Sequence, residues 1–294
     1  MTIVDGIEAP ARWKRGALVR RAMATPSARI GAVLLVGLVA LAVLGPLFAP
    51  HSPSELLDVP FAKPNQGNLL GTDYLGRDAF SRFLWGGRVL LVLAVLSTLL
   101  AYLIGITIGL LAAFRRGTLD AVLMGGLDLA LAFPPLIFVL VLLSAIGPKL
   151  WLVIIGVAAI FAPRVARIVR GAALDVVLHE FVEAAVARGE RTPAILFREI
   201  LPNLWPPILA DFGVRLTGSV IVIASLSFLG FGQQPPSADW GLLIAENRAG
   251  ILIQPWAVLA PVCAIAFLTV GINLVADGIV RALGRSEIVE ATRA

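Results

Sequence analysis

The sequence predicts an all-α, polytopic membrane protein with six transmembrane helices, and three observations lead there. Of its 294 residues, 59% are hydrophobic and only 15% charged, with mean hydropathy +0.91. Soluble domains carry about 45–50% apolar and about 25% charged residues. So apolar a chain has too little polar surface to cover itself in water, which excludes an ordinary soluble enzyme, a disordered chain and a nucleic-acid-binding domain. Second, apolar runs recur at the length of about 20 residues that crosses about 30 Å of hydrocarbon. Third, the basic residues divide unequally between the two sides those runs define.

The first 29 residues hold Arg12, Lys14, Arg15, Arg20, Arg21 and Arg29, a basic segment expected in the cytoplasm. The run 30–49 follows as the first span. It is too long for a signal-peptide core, and no A-x-A site follows it. An external loop, 50–88, is polar and rich in Gly and Pro. The next spans are 89–114 and 121–146, and Pro134-Pro135 predicts a kink in the latter. Residues 149–171 begin LWLVIIGVAAIFA and then acquire Arg164, Arg167 and Arg170, three apart and so on one helical face. This span is compromised, and its arginines mark a cytoplasmic exit. Spans 207–231 and 256–280 complete a five-helix core, 89–281, before a cytoplasmic tail, 282–294. With this topology 17 of the 24 Lys and Arg are cytoplasmic and six external, while Arg215 lies within a span. Trp85, Trp151, Trp205, Trp240 and Trp256 fall near span ends, as interface anchors do. The single cysteine, Cys263, excludes a disulfide framework, and His51 and His179 show no ligand spacing.

Long loops are often functional, so the cytoplasmic loop 172–205 and the external loops 50–88 and 232–255 are the places to seek chemistry. Residues 174–188, LDVVLHEFVEAAVAR, read as one amphipathic helix with a stripe of Val177, Phe181, Ala184 and Ala185. Asp175, His179 and Glu183 fall on another face. Gly189 can stop it, and Thr192-Pro193 reads as an N-cap with proline at the first helical position of a second helix. That helix ends at Leu201-Pro202. Such a hairpin either docks on a partner or merely ties two spans together. Outside, LGTDYLGRD contains Asp73 and Arg77 at i, i+4, consistent with a locally paired start to a helix. QQPPSADWG places Trp240 where it could anchor the interface or line an outer gate. Charges within spans are costly. Asp128, Asp211, Arg215 and Asp277 all lie toward the cytoplasmic half, which favours structural pairing or inner-gate roles over substrate binding. Asp211 and Arg215, four apart, form a candidate ion pair.

Glu183-Ala184-Ala185, then Gly189, then Ile200-Leu201-Pro202 resembles the EAA loop of ABC importer permeases. Gly71-Thr72-Asp73, Leu75-Gly76-Arg77-Asp78 and Ser81-Arg82 resemble the LGTDxLGRDxxSR segment of the dipeptide/oligopeptide/nickel branch. Asp128 with Ala132-Phe133-Pro134 is similar to its DxxxAFP stretch. Ser227-Phe228-Leu229-Gly230, Gln234-Pro235-Pro236 and Trp240-Gly241 are similar to SFLGxGxQPPxxxWG. Asn273-Leu274 and Asp277-Gly278 resemble its NLxGDGLRDALDP ending, although Ala276, Val280-Arg281 and Gly284-Arg285 depart from it. The resemblance, over roughly 66–281, implies a type I importer permease, the C-type partner of a second homologous permease, forming half of a translocation pathway. It implies two ABC ATPase subunits that bind ATP and Mg, and an external solute-binding protein. Glu183, Ala184, Ala185, Gly189, Leu201 and Pro202 would form the ATPase-coupling element. Gly71, Thr72, Asp73, Gly76, Arg77, Asp78, Pro235, Pro236 and Trp240 would form the external contact or gate. Asp128, Asp211, Arg215, Asn273 and Asp277 are the polar intramembrane set.

No catalytic or metal site is expected in this chain. Lys14, Lys63 and Lys149 are followed by Arg, Pro and Leu, so the Gly-Lys-Ser/Thr of a phosphate loop is missing. Energy must come from a separate protein. An ion-gradient-driven carrier would instead favour midplane acids and internal repeats with broken helices, and a non-transporting scaffold leaves the EAA-like loop without purpose. Peptides, nickel chelates and glutathione are the substrate classes the resemblance implies.

Overall fold

A computed structural model of the chain describes residues 22–291, with side chains through Leu283. The basic residues Arg12 to Arg21 and most of the tail therefore lie outside the described side chains. The described residues form helices joined by irregular loops, with isolated bridges but no named strand.

Helix α1 (Pro26–Leu44) opens on Thr25, whose hydroxyl accepts from Ala28 N, with Pro26 in its first turn. It packs along α9 (Trp256–Ala291). Helix α2 (Ala79–Arg115) begins ten residues before the expected span at 89. Asp78 caps it, accepting from Phe80 N at 3.3 Å and Ser81 N at 3.0 Å. The expected boundary was too late because Arg82 reads as polar. In the fold Arg82 is completely buried between acidic partners.

The run 121–146 carries a full break where a kink was expected. It divides into α3 (Gly117–Leu131) and α4 (Pro135–Ile146), bent by 83°. Pro135 removes an N–H from the ladder and forces the residue before it out of the helical region. That residue is Pro134, extended at ψ 125. Two successive prolines thus break the helix.

Helix α5 (Leu150–Val176) is the span whose arginines made it look compromised, yet 61% of its most apolar stretch is buried, the highest share of any span described. Its most extensive neighbour is α2. Gly105 and Gly109 of α2 permit that approach: a Cβ at Gly105 would lie 2.6 Å from Val165 Cβ, and one at Gly109 2.6 Å from Ala166 O. This is the small-xxx-small arrangement by which membrane helices pack without a hydrophobic driving force between them.

Past α5 the chain turns at Val177–His179 and forms α6 (Glu180–Ala187), so the single helix expected over 174–188 is two. Helical winding resumes at Thr192, capped by Arg191 rather than Thr192. It does not end at Leu201-Pro202. It passes through a π segment (Ile195–Ile200) and a 3-10 turn (Leu201–Leu204) directly into α7 (Trp205–Phe228). A short external helix, α8 (Trp240–Asn247), precedes α9.

Two apolar clusters hold these elements. One joins α2, α4, α5, α7, α8 and α9 through residues such as Leu93, Val139, Phe161, Ile223, Trp240 and Leu268. The other joins the hairpin 180–204 to α2, α5 and α7 through Leu110, Val169, Val182, Ala185, Ile195 and Ile200.

Candidate functional site

The hairpin's orientation follows from which residues of α6 enter the inner cluster. Val182 and Ala185 are buried, while Glu180, Glu183, Ala184 and Ala187 form the outward face. The stripe expected from Val177, Phe181, Ala184 and Ala185 is therefore rotated: Ala185 points inward, Ala184 outward, and Phe181 lies at the edge. Gly189 has φ +71, a conformation that strongly favours glycine, and open space where a Cβ would stand. Leu201 is half-buried against the inner cluster and Pro202 is exposed.

At the end of the bundle opposite the hairpin, the LGTDYLGRD side chains turn into the protein. Gly71 and Gly76 bend the chain with φ of +68 and +84. The Thr72 hydroxyl donates to Val59 O and accepts from Ala62 N, both at 2.8 Å. Asp73 accepts from Leu75 N, Arg77 N, Arg77 Nε at 2.7 Å and Arg82. The expected Asp73–Arg77 pair is present, but across a loop rather than along a helix. Arg82 and Arg77 also reach Glu246 of α8, at 3.0 and 3.4 Å. Tyr74 N donates to Asn247 Oδ1 at 2.9 Å and Tyr74 OH to Glu246 at 3.2 Å. Burial pushes the Glu246 carboxyl up to about 7, against the pull of Arg77. Loop 50–78, the start of α2 and α8 are thus clamped by one buried charge cluster.

Trp240 is fully buried, not an interface anchor. Its ring stacks on Phe83, its Nε1–H donates to Phe83 O at 2.9 Å, and it lies on Gly86 and Gly87. Trp85, Trp151, Trp205 and Trp256 are partly exposed, as anchors are. Asp239 caps α8, and burial raises its carboxyl against the Ser227 hydroxyl and backbone donors. Pro235 and Pro236 are exposed.

Within the spans, Asp211 and Arg215 do form an ion pair, at 2.8 Å, and Tyr102 OH donates to Asp211 at 2.8 Å. Thr217 Oγ1 donates to Asn273 at 3.2 Å, linking α7 to α9. Asp277 is exposed. Asp128 pairs with Arg167 of α5, and Asp120 is held by Arg170 through two bonds of 2.6 Å. Glu246, Tyr102 and Asp120 were not singled out in the sequence, and Arg82 only as part of the Ser81-Arg82 motif, with no partner named for it. Their partners lie between 9 and 172 residues away, so no local spacing marks them. Asp120 falls one residue before the expected span at 121 and enters a helix only because α3 starts at Gly117.

A helical membrane bundle with ion pairs linking its helices, a helical hairpin at one end and a charge clamp at the other has the architecture of a type I ABC importer permease. A family model for the inner membrane component of binding-protein-dependent transport systems matches residues 105–288, and one for the N-terminal transmembrane domain of oligopeptide transport permease C matches 14–68. The chain belongs to the binding-protein-dependent transport system permease family. A putative peptide transport system permease protein of Brucella suis biovar 1 is 37% identical over 261 residues, covering 88% of each chain. A glutathione transport system permease protein of Pectobacterium atrosepticum is 36% identical over 248 residues, 84% of this chain and 82% of that one. The MetNI methionine ABC transporter, solved in inward-facing conformations, matches with TM-score 0.53 at 20% identity over 66% of this chain and 92% of that chain, which shows the shared fold. The protein is a multi-pass inner-membrane permease component of an ATP-driven importer, not itself an enzyme. Membership implies a complex with ATPase and binding-protein partners.

Proposed function

We propose that this chain is the C-type member of a pair of homologous permeases that moves peptides, or a related small solute such as glutathione or a nickel chelate, inward across the cytoplasmic membrane. Two ATPase subunits bind ATP and Mg on the cytoplasmic side, where both termini lie, and a solute-binding protein delivers the solute outside. The relatives' names support the substrate class, and the match at 14–68 supports the C-type position.

One observation carries the coupling role: α6 presents Glu183 and Ala184 outward while Ala185 ties it to the bundle, and the winding that begins at Thr192 continues without a loop into α7. The small Ala184 admits close approach of an ATPase, and Glu183 supplies a polar contact at its edge. Closure of the ATPases on ATP then displaces α6 and, through it, α5 and α7. Outside, exposed Leu75, Pro235 and Pro236 meet the binding protein, while the buried Asp73, Arg77 and Asp78 keep that surface in shape.

The test is reconstitution with the cognate ATPases and binding protein. Glu183→Lys reverses the charge on the outward face, and Gly189→Val imposes a β-branched residue at φ +71. Both are expected to insert normally and to lose ATPase association or solute-stimulated ATP hydrolysis. Wild-type association and transport in both variants would reduce the hairpin to a tether.

A further inference from the structure

Two ion pairs fix α3 to α5, and they differ in kind. Asp120 and Arg170 are joined by two bonds of 2.6 Å, and their side chains are only 16% and 30% exposed. Asp128 and Arg167 share one contact, between a single guanidinium nitrogen and a single carboxylate oxygen, and are 58% and 48% exposed. Among the described residues the Arg167 side chain makes no other hydrogen bond. The first pair fastens the helix. The second leaves most of its donors and acceptors open.

On the permease reading above, the open pair lies within two spans rather than at their ends. Arg167 is nine residues before the end of α5, about 14 Å along the axis, and Asp128 is eleven residues into α3, about 16 Å along it. The half-buried residues of α3 are Asp120, Leu123, Met124, Leu127 and Leu131, and Asp128 stands at the edge of that face. One turn further, Ala132, Phe133 and Pro134 are non-helical and exposed. Non-helical backbone and open charges are tolerated at this depth only in protein or beside water, not against lipid.

We infer that the Asp128–Arg167 pair and the Ala132–Pro134 break form a wall of the water-filled solute path in its cytoplasmic half, where the pair meets solutes carrying both a cationic and an anionic group. Asp128 offers its free carboxylate oxygen to an ammonium, and Arg167 offers its remaining N–H groups to a carboxylate. The pair is neutral as a unit, so a zwitterion exchanges with it without leaving net charge behind. This inference rests on the permease reading above.

The test uses the whole importer complex in lipid nanodiscs, in a Cys263→Ser background. Phe133→Cys is compared with Val33→Cys on the outer face of α1, using a cationic and an anionic methanethiosulfonate, neither of which enters lipid. Position 133 is expected to react about tenfold faster than 33. Asp128→Asn is expected to lower the ratio of cationic to anionic rates at 133 by about threefold, and Arg167→Gln to raise it similarly. The Asp120–Arg170 bonds keep α3 in place in both variants. A rate at 133 no greater than at 33 overturns the wall, as does labelling seen only when the second permease is removed, which would make the break an interface between permeases. Unchanged charge ratios overturn the solute contact. Failure of the ATPases to co-purify overturns the permease reading and this inference together. An intact complex with slow labelling overturns the wall alone.

Discussion

Glu246 sits between two arginines yet is buried deeply enough that its carboxyl is held up at about 7. An acid whose folded pKa exceeds its unfolded value binds more protons when folded, so its contribution to stability is fully present below about pH 4.5 and is lost as pH rises through about 7. Melting of the purified complex is expected to show a decline from pH 5 to pH 8 that Glu246→Gln flattens. An equal slope in both proteins would remove Glu246 as its source. At the other side of the membrane, Asp211→Asn leaves Arg215 without its partner and Tyr102 without its charged acceptor. Breaking a buried pair costs about 3–5 kcal/mol, and the partial exposure of Arg215 places this one toward the lower figure. The expected phenotype is a lower melting temperature and poorer assembly, with unaltered solute preference. A variant that assembles normally but prefers another solute would move Asp211 from scaffold to pathway.

Among the elements, α6 shows how far pattern reading reaches. The hairpin, the stop at Gly189 and the outward Glu183 were legible, because glycine after an amphipathic run has one common use. The rotation of the buried face was not. It depends on Val182 and Ala185 meeting Ile195, Ile200 and Val169, residues on other segments. That rotation separates two adjacent alanines. Ala185→Tyr forces a ring into the packed inner cluster and is expected to lower stability by about 1–3 kcal/mol or more. Ala184→Tyr points into solvent and is expected to leave melting unchanged while weakening ATPase binding. Thermal melting and pull-down of the two variants check both halves, and equal destabilisation would mean that the helix is turned otherwise. The start of α2 was misplaced for the same reason in reverse. A hydropathy window discounts Arg82, whereas Asp73 and Glu246, supplied by distant segments, let it enter the interior. The break between α3 and α4 was legible as a kink at Pro134-Pro135. Its full 83° was not, because single-proline kinks preserve the helix direction far better.

For the whole molecule, five helices are long and apolar enough to cross a membrane, and the bent α3–α4 pair makes a sixth crossing if it counts as one span; six crossings would put loops 50–78 and 232–255 on one side and the hairpin on the other. Cysteine placed at the exposed Ser54 and Ser237, without Cys263, is expected to react with an impermeant reagent in intact cells. Protection of both sites would sink this arrangement. Five of the six expected spans were legible because hydropathy is additive along the chain, and the sixth is the bent α3–α4 pair. How spans pair was written only faintly, in Gly105 and Gly109, whose four-residue spacing marks where α5 comes closest.

The absence of a loop between the hairpin and α7 has a mechanical consequence. From Thr192 to Phe228 the backbone winds continuously for 37 residues, a rod of about 55 Å. A joint at the membrane surface would absorb displacement, as slack does in a drive shaft. Here a rotation of about 5° around the rod's centre swings each end by about 2.4 Å in opposite senses. The stretch of altered winding at Ile195–Leu204, wider in its first turn and tighter in its second, is where such a shaft yields first, because π and 3-10 winding inside a helix often marks a hinge.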